Sequence, residues 1–495
     1  MKAPVACTRR ALCPKPEEAV ISAATDGAAA PPPIPVREHV AAELLERLIQ
    51  ADGSGRMHLG TAEGQPLPSL EGIDLGRMGM RALRDALSDA AAWWDAEREG
   101  VNLAHADLAG ANLRRAGLEG ANLTGANLAG ALLSGANLRE ALLEHADLSQ
   151  ADLANARLAG AVLGAARLGG AMLEDADLRD ASMRFADLTG ALLEGADLRG
   201  ADLWGSTLSN ARCEGANFTG ATLTEANLAG AHLSAAVLRD ASLGQADLSG
   251  ARLDRADLSG ANLRGVNLRG AVLTEARLRD ADLSQCDLTH VHLAGAWLEK
   301  AQLRAAQLGG ALGEELAGQY EAARLGYLVL ERNFEALGDH AAASWAYCRK
   351  RVMGKRAALR GAREAAGARR WRAALAGYRN FALDQLVEWV CGYGESVARV
   401  VGTLLCVYLM FSVIYLATGS IVEVNDTVAP PVRATTYRPI DALIFSLLAL
   451  TTSGSPAVAL QPSGKAVHLL TGLQALLGIG LTGLLGFVVG NRIRR

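Results

Sequence analysis

A chain of 495 residues is too long for one ordinary domain, and its net charge of −4 balances 53 acidic against 49 basic residues whose sign varies along the sequence, which excludes no partner class. Half the residues are apolar, unevenly spread between a polar-faced middle and a strongly apolar end. The seven cysteines are scattered without paired metal spacing, which argues against a metal framework and fits a reducing compartment.

Residues 1–35 hold two arginines but no continuous apolar core and end in Pro31-Pro32-Pro33-Ile34-Pro35, so they read as a disordered tail and not a signal peptide. Residues 36–100 read as an N-terminal helical cap region, with Met78 to Glu97 helical in pattern and carrying Trp93-Trp94. From 101 to 312 a five-residue beat takes over. Of 42 positions from Leu103 to Leu308, only Met183, Cys213 and Phe218 are not Leu. Ala stands two residues earlier, except at Val101, Ser206, Val266, Cys286 and Val291. A period of five fits neither helix nor strand and implies a solenoid whose units bury their apolar side only against neighbours.

Stretches such as Ala121-Asn122-Leu123-Thr124-Gly125 resemble the pentapeptide-repeat family. The resemblance implies a right-handed quadrilateral β-helix, four units per coil, with Leu and Ala inward. At ~4.8 Å per coil, about ten coils make a rod of about 50 Å. Asn and Asp before each Leu suit tight turns, because their side chains bond nearby backbone. Open coil ends require caps. Some family members imitate DNA, which requires a strongly acidic surface. Between Val101 and Gly310 the balance is only 25 acidic to 18 basic, so a rigid spacer or docking surface is the expectation, with no nucleic acid partner. Cys286, His290 and His292 suggest a metal, but Cys286 falls inward and the histidines outward, and no metal site is expected.

Residues 313–395 form a helical connector. Leu316, Tyr320, Ala323, Tyr327, Leu330, Phe334 and Leu337 lie on one helical face, Gly338-Asp339 reads as a stop and a new start, and a second helix carries Trp345, Cys348 and Val352. Arg349 to Arg379 holds eleven basic residues and one acid, Glu364. Beside an apolar segment, this run reads as a juxtamembrane stretch at an anionic leaflet, anchored by Trp371, Tyr378 and Trp389. Gly392-Tyr393-Gly394 precedes any span and reads as a turn into the membrane.

Residues 396–495 read as a two-span unit. Val397 to Thr418 and Ala466 to Gly490 are long enough to cross a bilayer, and basic residues flank their outer sides. The positive-inside rule places both termini and the solenoid in the cytoplasm. Between the spans, Arg438-Pro439-Ile440-Asp441 reads as a helix start, Ala442 to Leu450 is an apolar helix too short to span, and Thr451-Thr452-Ser453-Gly454-Ser455-Pro456 follows. This order resembles the pore module of two-transmembrane potassium-channel-like proteins, and the fusion to pentapeptide repeats is a bacterial architecture. The resemblance implies a homotetramer, a pore helix with Pro439, Asp441, Phe445 and Ser446, and a filter of Thr451, Thr452, Ser453, Gly454 and Ser455. Ser453, Ser455 and Pro456 depart from the potassium pattern T-V-G-Y-G. The expectation is therefore a mixed multidomain protein with a two-span membrane pore domain: a multi-pass inner-membrane channel, weakly selective for monovalent cations, without cofactors or catalytic residues. Its solenoid would regulate, assemble, or bind a cytoplasmic protein. The alternative is a non-conducting membrane-anchored scaffold.

Overall fold

In a computed structural model of the chain, residues 94–95, 100–419, 421–425, 432–435, 438–451, 460–462 and 465–494 are described. The expected tail and residues 36–93 of the cap region lie outside them. At its edge the helical expectation is corrected. Strand β1 (Trp94–Asp95) pairs antiparallel with β2 (Gly100–Val101), Trp94 opposite Val101. The reason is the open edge of the first coil. Val101 already accepts from Asn122 N (2.8 Å) in the next coil, and a second strand satisfies the backbone on its other side, which a helix running through Trp94 would not.

From Asn102 to Gln302, parallel bridges join each unit to the one twenty residues on, the first being Asn102 with Asn122 and the last Asp282 with Gln302. Four five-residue units therefore close each coil. Within a unit, the bonds of Ala121-Asn122-Leu123-Thr124-Gly125 are typical. Leu123 N donates to Leu142 O (2.7 Å) in the next coil, and Ala126 N closes a turn on Leu123 O (3.0 Å). The Asn122 side chain accepts from Thr124 N (3.1 Å), and Asp147 accepts likewise from Ser149 N (3.0 Å). Gly125, third in its turn, has φ +65, the positive value that type II turns require. Every fifth residue from His105 to Lys300 shares that region, and none of them is β-branched. The inward Leu and Ala positions are buried from Val101 to Leu303, with Met183, Cys213 and Phe218 in the same slots, whereas Ala306, in a 3-10 turn at Ala305–Leu308 beyond the last bridge, is exposed, contrary to expectation.

The last coil is closed by side chains. Glu314, in a short helix α1 (Gly313–Leu316), is buried, and its carboxylate accepts from Leu293 N (2.6 Å) and Ala294 N (2.8 Å). Gln307 Nε2 donates to Leu283 O and Cys286 O, and Asn333 Nδ2 to Ala301 O (2.9 Å). These bonds take the place of the next coil. Asn333 belongs to α2 (Tyr320–Ala336), whose buried residues Ala323, Tyr327, Leu330 and Phe334 are the expected face. Leu316 and Leu337 lie outside α2 and are exposed, contrary to expectation. Asp339 caps α3 (His340–Gly367) by accepting from Ala342 N (3.0 Å), and α4 (Trp371–Cys391) packs along α3.

A turn at Gly392–Gly394 leads to α5 (Val397–Thr418). Tyr393 lies under Arg351 (5.3 Å to the ring) and its hydroxyl reaches Glu388 (3.4 Å), so this glycine-tyrosine-glycine sequence is a packed turn. Strands β3 (Ile421–Asn425), β4 (Val432–Thr435) and β5 (Leu460–Pro462) form an antiparallel sheet ordered β4-β3-β5, which the sequence pattern did not suggest. Helix α6 (Pro439–Thr451) and the 30-residue α7 (Lys465–Arg494) complete the chain. By length and composition, α5 and residues Lys465–Gly490 of α7 are apolar and long enough to cross a membrane.

Leu208 is fully buried in mid-solenoid. Leu208→Lys is expected to cost at least about 3 kcal/mol by burying an unpaired charge, and Leu208→Met under about 1.5. Denaturant unfolding followed by circular dichroism compares the two, and equal midpoints would contradict the inward assignment. A pH dependence follows from the turns. The Asp147, Asp282 and Asp287 carboxyls are held below the ordinary range, chiefly by hydrogen bonds from the Ser149, Ser284 and Thr289 side chains, and Asp177 and Asp197 by Arg179 and Arg199. Their folded pKa values lie below the unfolded value of about 4, so their stabilisation is complete above that pH and disappears as pH falls through the folded values. Acid titration of the solenoid should show loss beginning below about pH 4; loss complete by pH 5 would contradict this origin.

Candidate functional site

The three apolar helices enclose a small polar cluster. Helix α6 has 13 residues, about 20 Å of rise, which is too short for a bilayer core of about 30 Å. Pro439 occupies its first turn, where no N–H is needed, and Asp441 lies beside the positive end of the helix dipole. Ala442, Phe445, Ser446 and Leu450 face inward, whereas Ile440, Ile444 and Leu447 are exposed. Phe445 meets Tyr415 of α5 edge to face at 5.0 Å and joins Phe411, Ile421 and Ala442 in one apolar cluster.

Beneath Phe445, Ser446 and Gln474 are buried polar residues. Ser446 Oγ donates to Tyr408 O of α5 (2.8 Å) and accepts from Gln474 Nε2 of α7 (2.7 Å). The Gln474 amide also donates to Ser446 O (3.0 Å), and its Oε1 accepts from the Tyr415 hydroxyl (2.9 Å). An amide or hydroxyl in an apolar interior is costly unless bonded, so these four bonds hold all three helices in one register. At the far end of α6, Gly478 of α7 meets the Leu450 carbonyl so closely that a Cβ there would overlap its oxygen. Glycine is required at that crossing because the two backbones touch.

Of the expected pore-helix residues, Phe445 and Ser446 lie at this three-helix contact and Pro439 and Asp441 at the helix start. Thr451 is the last residue of α6, and its hydroxyl donates back to Leu447 O (3.0 Å). Thr452, Ser453, Gly454 and Ser455 lie outside the described residues. Tyr415, Gln474 and Gly478 were missed from sequence. A single amide inside a long apolar run was the available signal, because such a residue needs a named partner.

The family described as Pentapeptide repeats matches this chain in overlapping stretches from residue 99 to residue 304, over the same residues that form the four-unit coils. It is similar to HetL, a pentapeptide repeat protein involved in heterocyst differentiation regulation from the cyanobacterium Nostoc sp. strain PCC 7120. The identity is 32% over 40% of this chain and 87% of HetL, with a TM-score of 0.21. The chain is a pentapeptide-repeat protein. A trypsin-treated form of QnrB1, a plasmid-mediated fluoroquinolone resistance protein, is 22% identical over 40% of this chain and 91% of its own, with a TM-score of 0.25. A pentapeptide repeat protein from the Arabidopsis thaliana thylakoid lumen is 32% identical over 23% and 73%, with a TM-score of 0.14. No curated protein matches the chain. Family membership rests on the repeats and the sequence identity, not on the superpositions.

On the outside of the pentapeptide-repeat coils, carboxylates and guanidinium groups alternate. Arg179 bonds Asp177 (2.7 Å), Arg184 bonds Asp202 (2.5 Å), Arg212 bonds Glu194 (2.9 Å) and Arg239 bonds Asp257 (2.6 Å). Cys286 faces inward, its thiol donates to Leu263 O (2.9 Å), and burial pushes its pKa up to about 11. His292 instead faces Glu314 (3.9 Å), so the three residues considered for a metal do not converge.

Gly478→Val is expected to push α6 off α7 and lower thermal stability in detergent by about 1–3 kcal/mol, while Gly480→Val, where a Cβ meets nothing, should leave it nearly unchanged. Equal melting temperatures for the two variants would refute the close crossing. Gln474→Leu should destabilise by a similar about 1–3 kcal/mol, because the Tyr415 hydroxyl loses its acceptor.

Proposed function

We propose that this pentapeptide-repeat protein is a tetrameric ion channel of the bacterial inner membrane, weakly selective for monovalent cations, whose cytoplasmic solenoid regulates or assembles the pore. The observation that carries the reading is the short helix α6, tied between two helices of membrane-spanning length by Ser446 and Gln474. A helix too short to cross is useful at that depth when its end and the following loop line a wet cavity. Four such helices around an axis would direct their negative ends at a cation. The outward apolar residues of α5 and α7, among them Leu405, Leu409, Leu473 and Leu476, are exposed in a single chain and fit contact with lipid or neighbouring copies.

In this reading Thr451, Thr452, Ser453, Gly454 and Ser455 form the narrowing. Thr and Ser oxygens replace part of the ion's water shell, and Pro456 replaces the second glycine of a potassium filter, which removes the close carbonyl cage. The basic flanks of the spans favour cytoplasmic termini, and neither a cofactor nor an enzymatic step is required. The solenoid also suits a scaffold that docks a cytoplasmic protein. Pro456 in the loop favours, as a second reading, a membrane-anchored scaffold without conduction.

Single-channel recording of purified protein in planar bilayers, with different salts on the two sides, tests the choice. Discrete currents with a cation-side reversal potential are expected, and they should vanish in Gly454→Val while the tetramer persists on a sizing column. Currents unchanged by Gly454→Val would remove this loop from the pore. Silence from a verified wild-type tetramer would favour the scaffold.

A further inference from the structure

Helix α4 presents an outer face that no other part of the described chain covers. At 3.6 residues per turn, Trp371, Leu375, Tyr378, Leu386 and Trp389 fall within about 80° of arc. Trp371 is 64%, Leu375 67%, Leu386 55% and Trp389 79% exposed. The two acids of α4 point the other way. Asp384 pairs with Arg351 of α3 (2.5 Å), and Glu388 with the buried Lys355. Gly377 is pressed against Ala362 on that same side. A helix on the surface of a soluble domain has the reverse arrangement, apolar toward its neighbour and charged toward water.

The basic run divides in the same way. Arg349 and Arg356 bond Glu315, Lys350 bonds Glu331, and Arg351 and Lys355 bond the acids of α4. Those cations serve the fold. Arg369, Arg370, Arg372 and Arg379 are exposed and make no ion pair with a described carboxylate, and the first three crowd the N-terminal end of α4. Arg372 is repelled by the α4 dipole; Arg369 and Arg370 also follow the favourable C-terminal end of α3, but none of the three has a described carboxylate partner such as the cations earlier in the run have. Apolar stripe and free arginines together match one occupant: apolar on contact, anionic at its surface. Helix α4 also ends only six residues before α5 begins.

We propose that α4 lies along an anionic phospholipid surface, with Trp371, Leu375, Tyr378, Leu386 and Trp389 among the headgroups and upper acyl chains and the four arginines on lipid phosphates. The proposal rests on reading α5 and α7 as spans, but not on conduction. A second copy is disfavoured because it would bring the same arginines together. Nucleic acid would engage the cations and leave the stripe in water.

The test uses the full chain in nanodiscs, spin-labelled at Leu375→Cys and, separately, at Leu386→Cys, with the other cysteines replaced. Collisions with oxygen, which partitions into lipid, are compared with those of a water-soluble nickel chelate. In discs rich in phosphatidylglycerol both labels should favour oxygen. In phosphatidylcholine discs, and in Arg372→Glu with Arg379→Glu, immersion should weaken, by about fivefold in lipid affinity for each cation removed. Three results would overturn the proposal: labels open to nickel in anionic discs, labels shielded from both reagents by protein, or shielding produced by a short DNA duplex without anionic lipid. Current recorded from the same preparation separates the two readings. Silent protein with immersed labels would sink the channel alone, and current with water-exposed labels would sink this surface alone.

Discussion

The backbone ladder between residues twenty apart is the constraint on which the solenoid depends. Each coil must match its neighbours to satisfy N–H and C=O groups, and it can do so only if every unit turns the same corner in five residues. Leu123 and Ala121 illustrate how tightly this fixes composition: one large and one very small apolar side chain point into the lumen, and both are fully buried. A ladder of this kind has no natural end. The chain therefore spends β1 on the first coil and the Glu314 carboxylate, Gln307 and Asn333 on the last. An uncompensated buried backbone N–H or C=O costs about 1–3 kcal/mol, so Glu314 as acceptor and Gln307 and Asn333 as donors decide where the solenoid stops.

The legibility of the sequence followed the strength of its periodicity. The five-residue beat is a period nothing else in the chain imitates, and the inward Leu and Ala could be named from it residue by residue as far as Leu303; Ala306 keeps the beat but is exposed in a 3-10 turn. The positive φ at each fifth residue was equally encoded, in a column mixing Gly with Asp, Asn, His and Gln that excludes β-branched types. Trp94 was misassigned because a two-residue strand carries no period at all, and its conformation is set by the coil edge beside it. Likewise, Leu316 and Leu337 fit a helical face by spacing alone, but both lie beyond the ends of α2.

Near the apolar helices, sequence order identified α5, α6 and α7, while the contacts that orient them came from isolated residues. Ser446 stood out because of its place in a familiar arrangement. Gln474 did not, since a single amide on a helix has no partner until the helices are brought together. Gly478 was hidden among the many glycines of α7, of which this one meets the Leu450 carbonyl and Gly480 meets nothing. The basic run was misleading for a related reason. Counting eleven cations against Glu364 ignored Glu315, Glu331, Asp384 and Glu388, which lie outside the run in sequence and against it in space.

Those acids also connect the solenoid to the apolar helices. Glu314 closes the last coil, and the adjacent Glu315 accepts from the Tyr327 hydroxyl (2.8 Å) and pairs with Arg349 and Arg356 of α3. Further along α3, Arg351 and Lys355 pair with Asp384 and Glu388 of α4, and the Glu388 carbonyl accepts from Arg399 in the first turn of α5 (2.8 Å). Removing the half-buried Glu388 leaves the buried Lys355 ammonium with Gln385 as its remaining partner among the described residues, a cost of about 1–3 kcal/mol. The pairs thus run without a gap from the last coil through α3 and α4 to the first turn of α5. If the outer face of α4 rests on lipid as proposed, α4 is the one element of that series in contact with both the surface and α3, and the apolar helix α5 follows it directly.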